Sequence, residues 1–206
     1  AVFASLIERS GRFSLGLGEF TPEICSNDIF MSELKKAQRA FSAIEVNKDR
    51  FFSIREFESL SQPLTAEDFK AFLDQTIEEA KPDTPFNAYT LGMQDKLGRL
   101  RDVGETLGIG NYFIDSVLAQ GYVGNQIKRT SMADTPLYCK TTGSFTSIEV
   151  LEEIIKPSGR MKVLDVQKAL AATYNVRLIP AQIRSIASRG GMRLSDMGNS
   201  IIVDGE

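Results

Sequence analysis

Thr146-Ser147-Ile148-Glu149 has the form of a capping box, in which a hydroxyl accepts from a first-turn N–H while the carboxylate three residues on reaches back to the first N–H. That pairing starts a helix at a defined residue. Ile148, Leu151, Ile154 and Ile155 follow at helical spacing as an inward stripe, and Pro157-Ser158-Gly159 ends the helix. What comes next has little freedom left. Residues 161–163 read as a short strand, and a second helix buries Val166, Ala169 and Leu170. Pro180 sits in the first turn of a third helix carrying Ile179, Ile183, Ile186 and Ala187 inward, and Gly190-Gly191 stops it. Two alternating strands around an Asp196-Met197-Gly198-Asn199 turn complete the segment.

Upstream the pattern is looser. Residues 5–9 read as a helix end, followed by Gly11 and a strand alternating through Phe13, Leu15 and Leu17. This looks like the tail of a preceding helix–hairpin unit, so the chain is expected to be a piece of a longer protein. Leu34, Ala37, Phe41 and Ile44 predict a helix over 31–44, and Phe69, Phe72, Leu73 and Ile77 another over 65–80 behind a Thr65 cap. Lys81-Pro82-Asp83-Thr84-Pro85 reads as a linker, since proline disfavours helix in the residue before it. Beyond it, Thr90 opens a helix through Met93, Leu97 and Leu100, then comes a helix–glycine turn–helix, then strands near 127–129 and 137–139. The expected divisions are 1–25, 26–82 (a helical connector), 83–141 and 142–206. A weak repeat joins Ser5-Leu6-Ile7 to Gly11, Ser116-Val117-Leu118 to Gly121, and Ser185-Ile186-Ala187 to Gly190. Each is read as a third helix running into its hairpin.

The order helix, short strand, helix, helix, hairpin over 142–206 resembles the winged helix-turn-helix superfamily, notably the sigma-like and HARE-type modules of large bacterial multidomain proteins; 85–140 resembles it more loosely. The resemblance implies a mainly α fold with small β-hairpins, built of tandem winged-helix-like modules. It also implies a binding role, to DNA or to protein.

Composition narrows the chemistry. The 206 residues include no histidine, which removes the commonest general base, the hydrolase triads and most zinc ligand sets. No glycine-rich phosphate loop and no spaced carboxylate cluster compensates, so a non-enzymatic protein without cofactor is expected. Cys25 and Cys139 are far apart and outside any CxxC pair. No apolar run approaches the roughly 18 residues that cross a bilayer, and a cytoplasmic protein with no membrane partner is expected. A formal charge of -3 argues against coating nucleic acid by charge alone.

Three sets of residues could carry function. On the third helix, Ala181, Arg184, Ser185 and Ser188 face outward with Gln182 and Arg189 at the flanks. Small residues let a helix approach a major groove, Arg184 or Gln182 can reach base edges, and Arg189 and Arg193 can meet phosphates. Glu149, Glu152 and Glu153 keep the segment near neutral. Asn111, Lys128 and Arg129 are secondary candidates for backbone contact. Glu45, Asn47, Asp49, Ser53 and Glu56 have the spacing of a calcium-binding EF-hand loop with the Phe51 carbonyl. There, however, Glu45 replaces the usual Asp, Arg50 replaces the usual glycine, and Ser53 to Glu56 also forms a possible capping box. The expected partner is double-stranded DNA, the alternative is a protein or a neighbouring domain of the same chain, and calcium comes third.

Overall fold

A computed structural model describes residues 2–203. The expected ends of the first and last divisions, residue 1 and residues 204–206, lie outside them. In chain order the elements are α1 (Val2–Arg9), β1 (Arg12–Ser14), α2 (Pro22–Cys25), α3 (Asp28–Arg39), β2 (Ala43–Asn47), β3 (Arg50–Ser53), α4 (Ile54–Glu58) and α5 (Ala66–Glu79). There follow α6 (Ala88–Met93), α7 (Arg99–Leu107), α8 (Tyr112–Val123), β4 (Lys128–Met132), β5 (Thr135–Cys139), α9 (Ser147–Ile155), β6 (Arg160–Lys162), α10 (Val163–Tyr174), α11 (Pro180–Arg189), β7 (Arg193–Ser195) and β8 (Ser200–Ile202). The fold is mainly helical with small antiparallel sheets, as expected. It divides into two units, Ala1–Glu79 with Asp95–Gly124, and Ala80–Gln94 with Asn125–Glu206. Residues 1–25 therefore share a unit with most of 26–82, and the 83–141 segment is divided between the units.

In the first unit α1, β1, α2, α3, β2 and β3 run helix, strand, helix, helix, hairpin. β1 pairs antiparallel with β3, giving the order β1-β3-β2. α1 thus opens such a unit, where it was expected to be a third helix closing one. Leu17, expected in the strand, lies past β1 and is exposed. α3 starts at Asn27, whose Oδ1 accepts from the Ile29 and Phe30 N–H groups. It ends earlier than its apolar stripe suggests. Phe41 takes φ 53°, its N–H reaches Gln38 O and the Ser42 N–H reaches Ala37 O, the paired bonds of a Schellman ending. Phe41 and Ile44 therefore leave the helix, and Ile44 becomes part of β2.

Pleating sends Phe51 and Phe52 to opposite faces of β3. Phe51 stacks on Phe13 at 5.2 Å within a core of Leu6, Ile7, Phe20, Phe30 and Leu34. Phe52 meets Phe57 of α4, which packs edge-on against Phe69 of α5 at 5.1 Å and tilted against Phe113 of α8 at 6.2 Å. Thr65 caps α5 as expected: its hydroxyl accepts from the Asp68 N–H, and Asp68 Oδ2 accepts from the Thr65 N–H.

The second unit repeats the order as α9, β6, α10, α11, β7, β8, again with the first strand against the last, β6-β8-β7. Thr146 and Glu149 form the predicted capping box, Pro180 starts α11, and Val150, Leu151, Ile155, Val166, Leu170, Ile183, Ala187 and Ile201 fill the core. Gly190 is required by proximity, since a Cβ there would stand 2.6 Å from Ile148 Cγ2. Ile179 departs from the expected stripe: it precedes the helix as its N-cap residue and is 60% exposed.

The presumed linker is structured. Phe86 exchanges both backbone hydrogen bonds with Tyr138, and the Asp83 N–H donates to Lys140 O. Residues 82–86 thus lie alongside β5, whose hairpin with β4 turns at Ala133 and Asp134, both at positive φ. Two prolines do not prevent this, because Asp83 and Phe86 supply the donors. The helix expected through 90–100 is in fact two. Asn87 caps α6, which stops at Met93, and α7 begins six residues later at Arg99. Gly108 and Gly110, both at positive φ, make the predicted turn before α8, whereas Gly121 lies inside that helix and does not stop it.

Candidate nucleic-acid interface

α11 carries no acidic side chain. Its buried residues, Ile183, Ile186 and Ala187, leave Ala181, Gln182, Ser185, Ser188 and Arg189 exposed. Gln182 is partly committed, because its Oε1 accepts from the Ile179 N–H at 3.0 Å and so caps the helix; its amide N–H groups remain as donors. Arg184 is half-buried and leans on the hairpin, with its Cδ 3.4 Å from where a Cβ on Gly198 would stand. Arg193 is exposed on β7. The structure thus gathers Gln182, Arg184, Ser185, Ser188 and Arg189 on one helix and joins that helix to the hairpin through Arg184.

The charge around this face was not legible from the formal total. By sequence the second unit holds 12 Lys and Arg against 9 Asp and Glu, and the first 12 against 18. From α10 through β7 the second unit has one acid, Asp165, against Lys168, Arg177, Arg184, Arg189 and Arg193. Three of its nine acids, Glu149, Glu152 and Glu153, lie on α9. Arg177, exposed in the turn between α10 and α11, and Lys162, exposed on β6, extend the basic set. Lys162 and Arg160, the two ends of β6, were missed because the sequence candidates were drawn from the third helix and the strand after it. Arg160 is occupied by Asp196, which also accepts from the Ser200 hydroxyl; those two hydrogen bonds, Ser200's first, hold the Asp196 carboxyl below its usual range.

The secondary candidates fall in different units. Asn111 precedes α8 in the first unit without a side-chain cap bond, whereas Lys128 and Arg129 lie exposed on β4 in the second.

The EF-hand spacing is a hairpin instead. β2 and β3 pair from Ala43 opposite Ser53 to Asn47 opposite Arg50, a geometry that spreads the presumed ligands along two strands. Glu45 Oε1 accepts from the Asp49 N–H and the Tyr112 hydroxyl, and Asn47 Oδ1 accepts from the Lys48 N–H. Glu56 accepts from Arg12 Nε at 2.5 Å, so it does not complete a capping box with Ser53, whose buried hydroxyl has no partner. Among the described residues no group of three or more His, Cys, Asp or Glu could hold a metal ion.

Glu149 anchors the frame that positions α11. Partial burial pushes its carboxyl up, but hydrogen bonds from the Ser144 and Thr146 hydroxyls and from the Glu149 and Thr146 N–H groups outweigh this and bring it down to about 2. A carboxyl depressed on folding stabilises above its ordinary value near 4.5, and that contribution fades as pH falls toward 2. The thermal midpoint of Glu149→Gln is therefore expected below that of the parent at neutral pH. The gap should close between pH 4.5 and 2, and a constant gap across that range would show the cap to be unlinked to the carboxylate. Cys139 is an inert thiol by contrast: burial, then the Asp83 and Glu153 charges, push it up to about 11.

Among the described residues no helix is long and apolar enough to cross a membrane. The chain matches no protein-family model, no characterised protein and no solved structure.

Proposed function

We propose that the second unit is a winged helix-turn-helix module that binds double-stranded DNA, with α11 in the major groove and the β7–β8 hairpin beside it as the wing. On this reading the chain is a non-enzymatic binding region of a larger bacterial cytoplasmic protein. The observation that carries it is the solvent face of α11: Gln182, Ser185, Ser188 and Arg189 exposed, no acid on the helix, and Arg184 and Arg193 at its hairpin side. Short side chains let the helix backbone close on base edges, Gln182 retains the donors a base edge accepts, and the arginines meet phosphates.

Three to four arginine–phosphate contacts give a log–log salt slope of about -3 to -4, and hence an affinity falling by roughly two orders of magnitude between about 50 and 200 mM salt. Arg189→Ala is expected to weaken binding to all duplexes and to reduce the slope by about 1. Fluorescence anisotropy of a labelled duplex over a salt series checks both, and a flat salt response, or an unchanged slope in Arg189→Ala, overturns the reading.

A protein partner is the second reading. It is favoured by three apolar side chains of the same unit that solvent reaches: Leu164 at 59%, Ile179 at 60% and Met197 at 104% exposure. Absence of duplex binding at every salt concentration would transfer the assignment to it.

A further inference from the structure

In the first unit a cavity of about 610 Å³ opens beside β1, with Ser10, Arg12, Ser14, Glu19 and Arg50 in its wall. In the β1–β3 register Arg12 stands opposite Phe52 and Ser14 opposite Arg50. Side chains alternate along a strand, so these four residues share one face of the sheet. The Arg12 guanidinium carbon lies 4.7 Å from the Phe52 ring centroid and that of Arg50 lies 5.4 Å from it. Phe52 has no exposed surface. Its ring is held by the core, and two guanidiniums stand over it.

These cations are not fully compensated. Arg12 spends its Nε on Glu56, leaving its terminal nitrogens, and among the described residues no carboxylate pairs with Arg50. Glu19 is drawn away toward Arg9 at 3.7 Å. Two guanidiniums within reach of one ring repel each other, and an anion with several acceptor oxygens between them relieves that repulsion. Planar N–H forks match the edges of a phosphate, and the Ser14 hydroxyl adds a donor on the same face.

We propose that this cavity binds a phosphate group of a small molecule through Arg12 and Arg50, assisted by Ser14 and opposed by Glu19. The site lies in the other unit from α11, and nothing in it depends on the DNA reading. Isothermal titration of the whole chain with inorganic phosphate, phosphoserine and acetate tests it. Saturable binding of both phosphate probes at millimolar concentration is expected, with acetate weaker. Arg50→Ala should weaken phosphate by about tenfold or more, Arg50→Lys by less, and Glu19→Gln should tighten it. Arg50 and Glu19 are both exposed, so neither change disturbs the core, and an unaltered circular dichroism spectrum verifies that. Tighter phosphoserine than phosphate identifies a monoester as the ligand, and equal affinities identify free phosphate. No saturable heat from either phosphate probe overturns the proposal, as does acetate binding equal to phosphate or an Arg50→Ala protein that binds as the parent does.

Discussion

Phe57→Ala is expected to lower the stability of the first unit by about 3–5 kcal/mol, a large part of the roughly 5–15 kcal/mol that holds a typical domain folded. Phe57 has no exposed surface and is the ring that the others share: Phe52, Phe69 and Phe113 all lie within 6.2 Å of it. These neighbours come from β3, α5 and α8, elements too stiff to collapse into the space left, so the cavity persists and the lost contacts are not recovered. The short α4 that bears Phe57 adds a second liability, because the Phe57 carbonyl accepts from the Leu64 N–H near the end of the connection to α5. Phe57→Leu keeps most of the volume and is expected to cost about 1–1.5 kcal/mol. Urea unfolding followed by circular dichroism reads both. An alanine variant whose midpoint moves no further than that of the leucine variant would show that the ring cluster is not the centre of the unit.

Sequence showed the second half of the second unit well because its signals are local. Thr146, Glu149, Pro180 and Gly190 each act within a turn or so of themselves, and a capping hydrogen bond forms wherever the backbone enters a helix. The first unit has the same chain order and was hidden by two non-local facts. α2 is only four residues long, too short to show a periodicity, and Phe41 and Ile44 continue the stripe of α3 although the chain has already turned into β2. Nothing in residues 41–44 announces that a phenylalanine will take the left-handed position; burial of its ring, stacked with Phe69 at 6.2 Å, overrides the backbone preference. Residues 82–86 misled for the same reason, since their hydrogen-bond partners lie more than fifty positions away on β5. On the interface side, the residues of α11 were legible from the helical wheel and the acids of α9 from the sequence itself, whereas the hairpin contact of Arg184 needed the tertiary fold. The Arg12–Phe52–Arg50 arrangement gave no sequence signal at all, because strand register created it.

Asn87→Ala is expected to remove about 2–4 kcal/mol from the second unit, far more than a surface helix cap, which is worth about 1 kcal/mol. Asn87 is 1% exposed and works in two directions. Its Oδ1 accepts from the Thr90 N–H at 3.0 Å while the Thr90 hydroxyl accepts from the Asn87 N–H at 2.9 Å, which closes the first turn of α6. Its Nδ2 donates at 3.0 Å to the carbonyl of Tyr174, the last residue of α10, where the helix has no further turn to satisfy that oxygen. Truncation therefore leaves a buried carbonyl and a buried N–H unpaired, and each such group costs about 1–3 kcal/mol. Asn87→Asp separates the two roles. Aspartate is as good a cap as asparagine, but it has no donor and sets a negative charge against the Tyr174 oxygen. If the bond to α10 matters as the geometry indicates, Asn87→Asp should be at least as damaging as Asn87→Ala at neutral pH and should recover as acid protonates the carboxyl and restores a donor. Thr90→Ala, which loses only the capping half, should fall between the parent and both. Thermal unfolding of the four proteins at pH 7 and pH 4 decides it: an aspartate variant as stable as the parent would reduce Asn87 to an ordinary cap and leave the end of α10 held by packing alone.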